Sequence, residues 1–421
     1  MFVQQKREGG FSLSNILSRI GPGTMLAATA VGVSHLVYST QAGGNYGFSL
    51  AWLIIFIVVL KYPAFRFAVD YASASGHSLV TGYSKISRIA LTWLAVGFFV
   101  DMFIATGAVA LVAAGLFISV FDLPYTGPQV AIVLMVVSAA ILLNGQYERA
   151  ERLVKTLVLA FSVLAILCTL FALPMLGSDG RGVMAELTPD RSLALFAIAM
   201  AGWMPMPSNG AILYSKWVCE KRRAVGDAFG YKDALNDLKI CYGLTLVLAL
   251  CFVVMGTAVL YETGRAVPNS AAGFGSELFG IFTAVIGDWV FPIIAVAGIA
   301  VIWSTQFALM DACPRVTGRL FCILANKNDE KSFYRKLLII QVIGVTIMLL
   351  FLMGGFTKFL YFATSMGFLA SPAIAYYNYR AITSDTIPDK FRPSRGMIVW
   401  SWTGIFSLTA FAIAFLLTSL G

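Results

Sequence analysis

Leu195-Phe196-Ala197-Ile198-Ala199-Met200-Ala201-Gly202-Trp203-Met204-Pro205-Met206-Pro207-Ser208-Asn209-Gly210 is an apolar, membrane-helix-like segment with two prolines in its middle. Proline lacks the N–H that a helix needs, and its ring clashes with the preceding turn, so the helix must stop there. A helix broken inside a bilayer bares N–H and C=O groups. Such groups are tolerated only where they line a cavity or hold a ligand. A second interrupted segment lies near the start of the chain. It runs from Gly21-Pro22-Gly23 through Gly32-Val33-Ser34-His35 to Tyr38-Ser39-Thr40. The two interruptions occupy matching places in the two halves. Paired breaks of this kind are the best sequence pointer to a transporter's binding site.

Composition sets the class. Of 421 residues, 59% are hydrophobic and only 12% charged, and the mean hydropathy is +0.82. Soluble domains carry about twice that charge fraction. Apolar stretches long enough to span hydrocarbon recur along the whole length. The reading places eleven spans, at about 20–44, 46–72, 90–120, 128–145, 155–176, 191–216, 240–261, 279–311, 336–354, 357–379 and 397–420. Residues 1–19 are a polar tail without a cleavable signal's apolar core, so the first span is expected to act as its own insertion signal.

All of the 30 Lys and Arg except Arg181, Arg191, Arg265 and Lys358 fall on one set of alternating loops and the adjoining span ends. The positive-inside rule then puts the N-terminus in the cytoplasm and the C-terminus outside, in the cell (inner) membrane. The net charge of +9 is explained by these orientation signals. No basic stripe interleaves with aromatics, so no nucleic-acid partner is expected. The expected partners are the lipid bilayer, a small solute or ion, and protons as coupling ion. The chain is expected to be a monomer. The six cysteines form no C-x-x-C pair, and neither a disulfide nor a zinc site is read from them.

Spans 1–5 and 6–10 start on opposite sides. That gives an all-α membrane protein with an inverted repeat of five plus five helices: 20–176, then 191–379, then one extra helix at 397–420. Helices 1 and 6 are discontinuous. This is the layout of LeuT-type transporters, which bind substrate between two unwound helices.

Several motifs carry a resemblance. Gly21-Pro22-Gly23, His35, Ala42-Gly43 and Tyr46-Gly47-Phe48-Ser49-Leu50-Ala51-Trp52 resemble the first two spans of the NRAMP family of metal transporters. Ser75-Gly76-His77-Ser78-Leu79 is similar to that family's turn after span 2. Ala201-Gly202-Trp203-Met204-Pro205 resembles its Ala-x-x-Met-Pro break, and Asp101-x-x-Ile104-x-x-Gly107 resembles its Asp-x-x-Glu-x-x-Gly stretch. The departures fall on the family's ligands. Where the family has Asp-Pro-Gly-Asn, this chain has Gly32, Val33, Ser34 and His35. The His after Met-Pro is Met206, and the Glu of span 3 is Ile104.

Without the Asp the break offers no evident anionic ligand, and a hard divalent cation wants carboxylate and carbonyl oxygens. If a metal binds, His35, Met204 and the Ala201 carbonyl are what remain to hold it. The same residues suit a small organic solute. Gly32 lets the chain unwind, and the half-helix starting near Ser34 presents amides that favour an anion. Trp203, Met204 and Met206 supply an adaptable apolar wall. The expected substrate site is Gly32, Val33, Ser34, His35, Ala201, Trp203, Met204, Met206, Ser208 and Thr364. Asp101 and His35 are the candidate proton carriers, since ionisable groups at that depth are functional by default. Arg66 and Asp70, four apart, form a helix-surface pair or a gate. The function read is secondary-active transport by alternating access of a small organic anion or amino-acid-like solute. The alternative is a divalent transition-metal ion held by softer His and Met ligands. No H-E-x-x-H or nucleotide loop is present, so an enzyme is not expected and no cofactor is implied.

Overall fold

The computed structural model describes residues 22–144, 147–177, 182–226, 229–265 and 268–420. The N-terminal tail, Gly21, Arg181 and Asp227 lie outside the described residues. Helices account for nearly everything described. Among the described residues the sole β-contact is an isolated bridge between Gly47 and Met184.

The first span is split into α1 (Gly23–Ala30), a π-helical turn (Ser34–Ser39) and α2 (Thr40–Tyr46). Then come α3 (Ala51–Ser75), the short α4 (Leu79–Ile86), α5 (Arg88–Phe121), α6 (Gly127–Leu143) and α7 (Tyr147–Ala172). The second broken span is α8 (Arg191–Trp203) and α9 (Gly210–Val225). It is followed by α10 (Tyr231–Gly256), which runs on through a π-helical turn to Tyr261, and by α11 (Ala271–Ile286) and α12 (Phe291–Ala325). The chain ends with α13 (Glu330–Phe351), α14 (Phe356–Leu369), α15 (Ser371–Ile382) and α16 (Arg395–Leu420). Eight described helical runs are long and apolar enough to cross a bilayer, with α14 and α15 together (Phe356–Ile382) counted as one, and 127–143, 191–203 and 271–286 are shorter apolar helices.

One boundary differs from the sequence reading. The span expected at 279–311 joins parts of two helices. Gly287, at φ 112°, ends α11. A new helix then begins at Phe291-Pro292, with proline in its first turn where no N–H is missed. The run 279–311 is apolar on both sides of Gly287, so hydropathy could not see the corner. Residues 271–278, which fall between two expected spans, are therefore helical. Similarly, α14 ends at Ala370 and α15 restarts at Ser371-Pro372.

The core is one large apolar cluster reaching from Leu26 to Phe415, with small satellites around Ala64 and Met102. The outward faces are also apolar: Val96, Val133, Ile240, Ile343 and Leu417 are all more than 45% exposed. A helix bundle that is apolar inside and out is what a lipid solvent selects. Both broken spans sit inside the bundle, α1 and α2 against α10, and α8 against α14.

Candidate functional site between the two breaks

The first break is a tight turn. Val31, at φ −75° and ψ 63°, lets Gly32 N–H donate to the Ala30 carbonyl at 2.8 Å. That is an inverse γ-turn. The Gly32 carbonyl then accepts from His35 N–H (3.2 Å) and Leu36 N–H (2.9 Å), which starts the next half-helix. A Cβ on Gly32 would lie 3.1 Å from the Thr305 side chain of α12. The neighbourhood has closed around glycine, and an Asp here would have to displace Thr305.

The second break runs from Met204 to Asn209, with a cis Met204–Pro205 peptide. Ser34 ties the two breaks together. Its hydroxyl faces the Ala30 carbonyl at 2.9 Å and the Pro205 carbonyl at 3.3 Å.

Between the breaks lies a cavity of about 30 Å³, lined by Val33, Ser34, Asp101, Trp203, Met206 and Asn209 among others. That volume holds one or two waters. Among the described residues Asp101 is the only carboxylate on its wall. It accepts a hydrogen bond from the Asn209 side-chain amide, so α5 is tied to the residue that restarts α9. The Trp203 indole N–H is buried and has no acceptor. A second, apolar groove of about 350 Å³ reaches Asp101 and Asn209 from the side of α5 and α14, past Val96, Val100 and Met366.

The expected site residues divide. Val33, Ser34, Trp203, Met206 and Asp101 line the cavity. His35 does not. Its Nε2 lies 2.8 Å from the Thr245 carbonyl of α10, and its Nδ1 lies 2.9 Å from the Ser34 hydroxyl. A nitrogen facing a carbonyl must carry the proton, so Nε2 donates to Thr245 and Nδ1 is left for Ser34. Nε2 is engaged within the chain, and Nδ1 competes with the Ala30 and Pro205 carbonyls for the single Ser34 hydroxyl proton. Met204 is completely buried off the cavity wall. Ser208 donates to Ser371 at 2.8 Å, and Thr364 pairs with the Tyr38 hydroxyl at 2.9 Å. These two fasten the breaks to α15 and α14.

The Arg66 Nε–H is shared between the two Asp70 carboxylate oxygens at 3.0 and 3.1 Å. Tyr231 of α10 donates to Asp70 at 2.8 Å and accepts from Arg66 at 3.1 Å. The pair thus joins α3 to the start of α10, and Asp70 is 2% exposed. Asp70→Asn is expected to cost about 1–3 kcal/mol, because it removes the buried negative charge and sets an amide NH2 among the Arg66 and Tyr231 donors. A lowered melting temperature in detergent checks this, and an unchanged one contradicts it.

One residue escaped the sequence reading. Lys61, mid-way along α3, is 1% exposed. Its Nζ donates to the Ala201 and Gly202 carbonyls, each at 2.7 Å. These carbonyls belong to the last turn of α8 and have no partner within their own helix. By charge pattern alone Lys61 belongs with the basic span ends. Its place ten residues inside an apolar run was the available signal. Asn209 was missed as well, because it reads as an ordinary turn residue after two prolines.

The comparisons with known proteins agree with this arrangement. A family model described as natural resistance-associated macrophage protein-like (Nramp) matches residues 23–418. The chain belongs to the Nramp family. An uncharacterized protein of Pasteurella multocida is 28% identical over 410 residues, covering 96% of this chain and 92% of that protein. The manganese transporter of Eremococcus coleocola has a similar structure. Its TM-score is 0.70 at 16% identity, and the match covers 98% of this chain and 89% of that one. MhsT in complex with L-phenylalanine matches with a TM-score of 0.67 at 16% identity, covering 98% of this chain and all of that one. This Nramp-family chain is therefore an all-α, multi-pass membrane transporter of the LeuT-type fold, as the paired breaks implied.

Proposed function

We propose that this Nramp-family protein carries a small organic solute with an amine group, amino-acid-like in character, by alternating access. The observation that carries the reading is that two of the three positions left for a metal are filled from within the chain. The Ala201 carbonyl is taken by Lys61 and His35 Nε2 by Thr245. Among the described residues no cluster of three His, Cys, Asp or Glu side chains could hold a metal ion. Stripping a divalent ion of its water beside a buried ammonium would be strongly unfavourable.

The cavity sharpens the solute class. Asp101 is its one carboxylate among the described residues, so a plain anion meets like charge there, whereas an ammonium group meets a partner. Met206, Ala105 and Val109 give an apolar wall for a side chain. At about 30 Å³ the cavity is too small for such a solute, so loading requires the two broken spans to part. Asp101 would hold a proton when the solute is absent, which is the coupling step.

The second reading is a divalent metal cargo. It rests on the family and on the neighbour described as a manganese transporter. Counterflow into proteoliposomes preloaded with unlabelled amino acids tests the first reading. Uptake of labelled solute that requires the preload supports it. Manganese uptake with no amino-acid counterflow sinks it. The N-terminus is placed on the cytoplasmic side on the strength of the basic loops.

A further inference from the structure

We propose that the Lys61 ammonium is a resident cation. It occupies the carbonyl pair freed by the break in α8 and so closes that pair to ions from solution. The inference deepens the reading of an organic cargo and rests on it in one respect: the native chain leaves no cation position open at Ala201.

Three observations lead here. First, the two carbonyls are the last-turn acceptors of a helix that stops inside the bundle, where water cannot satisfy them cheaply. The negative end of the helix dipole lies at the same place, so a cation is the fitting partner. Second, Lys61 Nζ meets both oxygens at 2.7 Å from a side chain that is 1% exposed. Among the described residues no carboxylate pairs with it, so its charge is balanced by backbone dipoles alone. Third, the donor comes from α3, a different element from either broken span. The contact therefore ties α8 to α3, and a bound ion would be free to leave where a tethered ammonium is not.

The consequence is specific. If Lys61 fills an ion position, removing the side chain should leave one that a small cation can refill. The test is the melting temperature of purified protein in detergent, with methylammonium chloride compared against choline chloride at equal ionic strength. Lys61→Ala is expected to melt lower than the native protein. It is expected to regain at least about 2 °C in ~100 mM methylammonium, by binding to the folded state alone. The native protein should not respond. Lys61→Met should melt low and stay low, because its uncharged tail fills the space. Lys61→Ser is read in the same way as Lys61→Ala, should the alanine variant fail to fold.

Several results overturn the proposal. One is a native-like melting temperature for Lys61→Ala. Another is equal methylammonium shifts in the native, Ala and Met proteins. A third is failure of both small variants to fold with methylammonium present throughout purification. Mn²⁺ binding by the native protein would instead count against the organic-cargo reading, and would leave the methylammonium response as it is.

Discussion

Asp101→Asn is expected to abolish coupled uptake while leaving the fold intact. Asparagine keeps the size of the side chain and its contact with Asn209. It removes the one carboxylate that the described residues place on the cavity wall. Removing one partner of a buried charged pair costs about 2–5 kcal/mol in binding, or roughly 30-fold and upward in affinity. The melting temperature should hold or rise, since a buried carboxylate is no longer kept out of water. Asp101→Ala should behave differently. It leaves the Asn209 amide without an acceptor and should lose about 1–3 kcal/mol of stability as well. Proteoliposome uptake and melting curves for the two variants separate the roles. Native uptake by Asp101→Asn would reduce Asp101 to a structural group.

Gly202→Val is expected to prevent assembly of the second break. A Cβ at residue 202 would collide with the Thr364 carbonyl of α14. The obstacle is backbone on a packed helix, so no rotamer change relieves it. Overpacking that displaces a helix costs about 3 kcal/mol or more, and α8 and α14 would have to separate. The displacement would also pull Ala201 and Gly202 away from Lys61. Extraction in mild detergent followed by size-exclusion chromatography should show little monodisperse protein. Gly243→Ala is the control. It sits in α10 with nothing within 4 Å of the added Cβ, and should match the native profile or gain up to about 1 kcal/mol. Equal profiles for the two variants would contradict the packing account.

The architecture was legible because lipid imposes a simple code. Long apolar runs, double proline and glycine punctuation placed both broken spans within a few residues of Trp203 and Val31, where the helices stop. The corner at Gly287 was not legible, since both flanking helices are apolar and a single glycine inside such a run has many readings. The site was legible in part. Asp101 announced itself as a lone acid at membrane depth and does line the cavity. His35 carried the same signal, but its ring nitrogens face Thr245 and Ser34. The sequence states that a histidine is buried and does not state which way it points. Lys61 was passed over because one more lysine in a basic protein looks like an orientation signal. Only its hydrogen bonds to Ala201 and Gly202, 140 residues away or more, show what it meets.

The central claim is that an Nramp-family frame here surrounds a site for an amine-bearing organic solute, with two of the three positions left for a metal filled from within. Isothermal titration of the purified native protein tests it most directly, with Mn²⁺ in one series and a panel of amino acids and small amines in the other. The account predicts no saturable Mn²⁺ heat up to ~1 mM. It also predicts saturable binding of at least one amine-bearing solute, lost in Asp101→Asn. Saturable Mn²⁺ binding, with no amine-bearing solute bound, would contradict it.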